Sequence, residues 1–279
     1  MRPFRAIVLL GTMVFLGCEN AVDPFSETDG STPFYVFGYL DTASDTQFVR
    51  VEAIRQSHDP DAGIPPTSVR TTASSTGETV VWRDSIVTLT DGTTGHLFFA
   101  TFRAVAGERY ELTVERADGA RATATTDVPT EPQTTVDTAR VVSNEVVQTV
   151  TLAGMSAEPA EIALVYRVSR GDEQPIEIVV DYANRAEVVD GSLTVRVRLS
   201  DDRERVAQML GESASSPEPT LHEVSLRLTL LSSEWATPEA VHVENGRGFW
   251  GAVGRFSIMW QLPPHILRRL SFQEPAGLD

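Results

Sequence analysis

Ala106-Gly107-Glu108-Arg109-Tyr110-Glu111-Leu112-Thr113-Val114-Glu115-Arg116-Ala117-Asp118-Gly119 carries the pattern on which the fold turns. Tyr110, Leu112 and Val114 alternate with Glu111, Thr113 and Glu115 between two glycine-containing turns, which predicts a strand with one buried and one wet face. Upstream, Asp91-Gly92-Thr93-Thr94-Gly95 separates apolar-rich stretches at residues 80–90 and 96–103 and predicts a hairpin. Phe34-Tyr35-Val36-Phe37-Gly38-Tyr39-Leu40 and residues 47–54 read as earlier strands, aromatic and β-branched. Residues 57–78, rich in Asp, Pro, Gly and Ser, read as a long loop between them and the hairpin. Residues 120–128 close the run before Pro129 and Pro132. Strands punctuated by turns every eight to twelve residues predict an immunoglobulin- or fibronectin-like β-sandwich over residues 34–131.

A second β-rich domain is expected over residues 132–262. Leu193, Val195, Val197 and Leu199 alternate with Thr194, Arg196 and Arg198, and Val224, Leu226, Leu228 and Leu230 repeat the pattern. Between them one short helix is expected: Asp201 and Glu204 have capping-box spacing, Val206, Met209 and Leu210 fall on one face, and Gly211 terminates it. Pro263-Pro264 ends the β structure and leaves a C-terminal tail over residues 263–279.

The N-terminus says where such a chain works. Arg2 and Arg5 precede the apolar residues 6–16, and Gly17-Cys18 follows, with Cys18 the single cysteine of the chain. A charged start, a short apolar run and a small residue make a secretory signal, and a membrane span would need ~20 apolar residues. Cysteine directly after the cleavage position is the layout of a bacterial lipoprotein signal, so residues 1–18 are expected to end at an acylated Cys18; an ordinary secretory leader with an incidental cysteine is the alternative reading. Residues 19–33, polar and acidic without helical or strand period, read as a flexible tether.

Cleavage removes Arg2 and Arg5, leaving 21 basic against 39 acidic residues and a net charge of −18. All the basic residues are arginines. Such a charge repels nucleic acid and anionic head groups and favours a monomer. With Cys18 acylated, no thiol remains for a disulfide or a thiolate metal site.

The motifs that carry chemistry elsewhere fail here on context. Gly246, Gly248 and Gly251 spell G-x-G-x-x-G, but in a β-rich setting they read as a glycine-rich turn that lets Phe249 and Trp250 reach the core or a partner. His58, His96, His222, His242 and His265 show no H-E-x-x-H spacing. His58, Asp59 and Asp61 could ligate a metal, but a solvated acidic loop is the expectation. Asp41, Asp45, Asp59 and Asp61 form no calcium loop, and Gly211-Glu212-Ser213-Ala214-Ser215 breaks the nucleophile-elbow pattern at its last residue. No catalytic residue, cofactor or metal is therefore expected.

The chain resembles outer-membrane lipoproteins of unknown function from Bacteroidota-like bacteria. The resemblance rests on the leader and tether, residues 34–40, Val87-Thr88-Leu89-Thr90-Asp91-Gly92-Thr93-Thr94-Gly95, and Ala106-Gly107-Glu108-Arg109-Tyr110-Glu111-Leu112. It extends to Asp118-Gly119 with Val128-Pro129 and to Asn245-Gly246-Arg247-Gly248-Phe249-Trp250-Gly251. It implies an immunoglobulin-like N-terminal part and genes often found beside TonB-dependent receptors, and it brings no catalytic residue. Glu19 and Asp23 are similar to surface-export signals of such lipoproteins. The expectation is a lipid-anchored, non-enzymatic envelope protein, facing the surface or the periplasm, that binds a partner or ligand as accessory to a TonB-dependent receptor. Phe249 and Trp250 are its candidate contacts; an adhesive or structural module and a surface hydrolase are the alternatives.

Overall fold

The computed structural model describes residues 34–53, 67–88, 94–157, 159–171, 173–213, 216–237 and 242–275. Cys18, the tether and His58, Asp59 and Asp61 lie outside the described residues, as do residues 89–93 of the expected hairpin. The first strands are β1 (Phe34–Asp41), β2 (Thr46–Ala53), β3 (Thr67–Ala73), β4 (Thr79–Val81), β5 (Arg83–Thr88), β6 (Thr94–Thr101), β7 (Arg109–Arg116) and β8 (Arg121–Asp127). There follow β9 (Gln133–Val136), β10 (Arg140–Val142), β11 (Glu145–Ala153), β12 (Pro159–Ser169), β13 (Ile176–Asp181), β14 (Ala186–Val189) and β15 (Ser192–Arg198). Helix α1 (Leu199–Met209), β16 (Thr220–Leu231), β17 (Gly246–Trp260) and helix α2 (Pro264–Arg269) complete the order.

The fold is mainly β and is organised by one long sheet, ordered β13-β12-β16-β17-β1-β2-β6-β5. A four-stranded sheet, β4-β3-β7-β8, and a five-stranded sheet, β10-β11-β15-β14 with β9 also on β11, are separate from it. Alternation decides how they stack. Phe34, Val36 and Leu40 of β1 share one buried cluster with Val69, Leu112 and Val114 of the four-stranded sheet. Leu226 and Leu228 of β16 share another with Val150, Val195 and Val197 of the five-stranded sheet. Along β17, Trp250 and Ala252 enter the first cluster and Phe256 the second, all on one face because successive side chains alternate sides. Both small sheets therefore cover the same face of the long sheet, giving a first β-sandwich followed by a second.

The long sheet runs across the boundary expected near residue 131, where the chain passes from β8 to β9. Its centre is made by β17, whose residues 246–253 pair in parallel with β1 and whose residues 253–260 pair antiparallel with β16. The first sandwich is thus completed by a strand some two hundred residues downstream.

Other expectations change in detail. The loop expected at 57–78 contains β3, missed because Thr67-Ser68-Val69-Arg70-Thr71-Thr72-Ala73 offers little apolar alternation; Val69 and Thr71 are nonetheless buried. The single strand expected at 80–90 breaks at Trp82, sending β4 to the four-stranded sheet and β5 to the long one. Buried Trp82 donates its indole N–H to Thr71 Oγ1 at 2.8 Å and packs edge-on against Trp250 at 6.1 Å, so the strand break is itself a core contact. Helix α1 starts two residues before the expected box and no side chain caps it; its buried face is Leu199, Asp202 and Val206, while Met209 is exposed. Gly211 does terminate it, at φ +60° with the Gly211 and Glu212 amides bonded to the Gln208 and Ala207 carbonyls. The tail adds a second helix, α2, and its Ile266, Leu267, Leu270 and Phe272 join the second core.

Candidate contact surface

The uncovered face of the long sheet is where the first sandwich departs from ordinary strand chemistry. In β1 the inward positions are Phe34, Val36, Gly38 and Leu40, which leaves Tyr35, Phe37 and Tyr39 in a row on the other side. Gly38 is required: a Cβ there would meet the Phe48 carbonyl oxygen at 2.9 Å. The register sets Phe48 beside Tyr39, Phe99 beside Phe48 and Arg50 beside Phe37. Tyr35, Phe37, Tyr39 and Phe48 are 44, 50, 40 and 50% exposed. No described element covers these rings.

Next to this row the glycine-rich motif proves to be strand, the first part of β17, rather than the expected turn. Gly248, at φ +116°, lies against β1 so closely that a Cβ would stand 1.9 Å from the Val36 carbonyl oxygen. Gly251 makes room for the Phe249 ring, whose edge would lie 2.6 Å from an added Cβ. Over that ring the β16–β17 connection lays Trp235, at 4.6 Å between centroids, and His242, at 5.8 Å. Trp235 donates its indole N–H to the Ala252 carbonyl at 3.1 Å and reaches Tyr39 at 5.7 Å, so it fastens the row to β17.

The two expected contact residues therefore part. Trp250 faces the first core, fully buried, and is corrected from contact to core residue; alternation along a strand forbids both neighbours from reaching one surface. Phe249 lies on the aromatic side, 6.0 Å from Phe37, but beneath Trp235, with 8% of its surface exposed. It supports the surface, and Tyr35, Phe37, Tyr39 and Phe48 present it. Their period-2 placement around Gly38 was visible in the sequence; which face lacked a cover was not.

The charges beside the row neutralise one another. Arg50 Nε donates to Glu52 at 2.8 Å, Arg255 pairs with Asp41 at 3.1 Å and Arg103 with Asp45 at 2.7 Å. In a chain of net charge −16 the row is aromatic, and these three charge pairs beside it are each internally neutral. Four rings of roughly 200 Å² each, about half exposed, present ~400 Å² of aromatic area, within the range of the largest apolar patches on monomers, which are often functional.

The polar constellations do not converge on a reaction. Ser169 Oγ lies 2.8 Å from His222 Nε2, but among the described residues no carboxylate orients the other ring nitrogen. His96 Nδ1 donates to Asp84 at 2.8 Å beside Phe98 at the sheet edge. A polar cleft of about 660 Å³ between β8 and the β16–β17 connection is lined by Glu111, Arg121, Glu234, His242 and Glu244. Among the described residues no three His, Cys, Asp or Glu side chains are placed to hold a metal ion, and no helix is long and apolar enough to cross a membrane.

One ionisable cluster is fully enclosed, centred on Asp202 of α1. Its Oδ2 accepts hydroxyl protons from Tyr166 and Tyr182, both at 2.6 Å, while Arg185 stands 3.8 Å from Oδ1 and over the Tyr182 ring. Tyr182 in turn accepts the Arg198 amide at 3.1 Å, so the cluster ties α1 to β12, β13 and β15. Burial pushes the Asp202 carboxyl above its ordinary range, against the pull of both tyrosines and Arg185, and raises both phenols. A carboxyl raised on folding holds its proton better in the native state, so its contribution is largest at low pH and declines as pH rises from ~4 through the raised value. Asp202→Asn is expected to cost about 1–3 kcal/mol, and the gap to wild type should narrow over that pH window in denaturant titrations. A gap independent of pH would show that Asp202 does not titrate there.

No protein-family model matches the chain, and no curated protein matches it. Among solved structures it is similar to a chain described as "Crystal structure of bovine butyrophilin", at 13% identity and a TM-score of 0.22, over 83% of this chain and 99% of that one.

Proposed function

We propose that the chain is a lipid-anchored, non-enzymatic protein of the bacterial cell envelope that works by binding, with the uncovered aromatic side of the long sheet as its contact surface. The observation that carries this reading is the row Tyr35, Phe37 and Tyr39 with Phe48, exposed aromatic rings on a strongly acidic molecule. The lipoprotein-type signal ending at Cys18 supports the anchor. The residues 34–40 and 245–251 that carry the lipoprotein resemblance are the strands that build this surface, and the accessory role beside a TonB-dependent receptor follows from that resemblance.

An anchor makes a small surface sufficient. Holding two proteins in one membrane raises their effective concentration, so ~400 Å² of aromatic area can sustain a contact too weak to form in dilute solution. The test is affinity purification from gently solubilised membranes. Wild type is expected in the membrane fraction with a TonB-dependent receptor. Cys18→Ala should shift the protein to the soluble fraction, and Phe37→Glu should leave it in the membrane while reducing receptor recovery at least tenfold. Membrane retention of Cys18→Ala would overturn the anchor, and undiminished receptor recovery with Phe37→Glu would overturn the surface.

A further inference from the structure

We propose that the aromatic surface pairs two copies of this chain, packed sheet against sheet about a two-fold axis parallel to β1, and that the receptor meets the paired form; this rests on the binding reading above. The open surface is the outer side of three adjacent strands, β1, β2 and β6, bordered by Trp235 and His242 over Phe249 of β17, and sheet faces pack on sheet faces ~10 Å apart.

Charge favours a copy over a charged partner. The chain carries −16 overall, and two copies repel through most of their surfaces. Around the row, Arg50–Glu52, Arg255–Asp41 and Arg103–Asp45 are already paired within the chain. This side therefore meets its own image with little repulsion and offers no unpaired charge in these three pairs to a basic or acidic partner.

Area sets the strength. Two copies contribute ~800 Å² of aromatic surface, and the half-buried Leu97 and Phe99 bring the pair to roughly the 1,000 Å² that a specific contact needs, below a permanent dimer. The dimer is therefore expected to be weak in solution, with a dissociation constant between ~1 µM and ~1 mM. An axis parallel to β1 also makes both β1 strands start at the same end, so both anchors would enter one membrane.

The test is sedimentation of the mature chain carrying Cys18→Ser, over a hundredfold concentration range at low and high salt. A monomer–dimer equilibrium is expected that tightens with salt, is weakened at least tenfold by Phe37→Arg or Tyr39→Arg, and is unchanged by Met259→Arg on the other half of the same side. Circular dichroism of each variant confirms that it is folded. A wild type that stays monomeric at 1 mM, or a dimer indifferent to both β1 substitutions, overturns the proposal. A monomer that still loses its receptor on Phe37→Glu leaves the binding reading standing, so the two failures are distinguishable.

Discussion

Gly248→Val is expected to abolish cooperative folding of the whole chain. The substituted Cβ would fall 1.9 Å from the Val36 carbonyl oxygen at a backbone φ of +116°, a conformation that costs a β-branched residue ~1–3 kcal/mol before any clash is counted. Relieving the clash means parting β17 from β1, and that pairing closes the first sandwich. A further few kcal/mol on that account exceeds what a domain with a typical stability of about 5–15 kcal/mol tolerates. Because the far half of the same strand pairs with β16, the second sandwich should lose protection as well. Gly119→Ala is the control: its φ is also positive, at +88°, but nothing lies within 4 Å of an added Cβ. It should cost only about 1 kcal/mol. Thermal melts and hydrogen exchange distinguish the two, and a Gly248→Val protein that melts like Gly119→Ala would contradict the shared-strand architecture.

Trp250→Ala is expected to destabilise by ~3–5 kcal/mol while leaving partner recovery per folded molecule unchanged. The indole fills the first core against Trp82, fully buried. Its Nε1 finds no acceptor among the described residues, so Trp250→Phe should cost much less: the lost area is partly offset by removing a buried, unbonded N–H. Phe37→Glu should show the opposite behaviour, with a small change in melting and a large loss of binding. If Trp250→Ala weakened binding without lowering stability, the assignment of these side chains to opposite sides of the sheet would be wrong.

How much of this was legible depended on the range of the signal. The alternation of Tyr110, Leu112 and Val114, and of Leu193, Val195 and Val197, is local and marks β7 and β15 correctly. Strand β3 escaped because its pairing with β7 is supplied by position, with Val69 and Thr71 its buried side chains. The role of residues 246–251 escaped for a different reason. Three glycines read locally as a turn, but all three mark close approach: Gly246 to Val243, Gly248 to β1 and Gly251 to the Phe249 ring. A parallel partner two hundred residues away leaves no period in the sequence. The aromatic row itself was visible in Phe34–Leu40, yet alternation alone does not say which side a second sheet will cover, and Phe249 and Trp250 were for that reason grouped together.

The most direct test of the central claim is photo-crosslinking in living cells, with benzoylphenylalanine at position 37 on the aromatic side and, separately, at position 188 on the exposed edge strand β14. The binding account predicts a discrete protein adduct from position 37 that is lost with Cys18→Ala, and none from position 188. No adduct at position 37, or equal adducts at both positions, would contradict it.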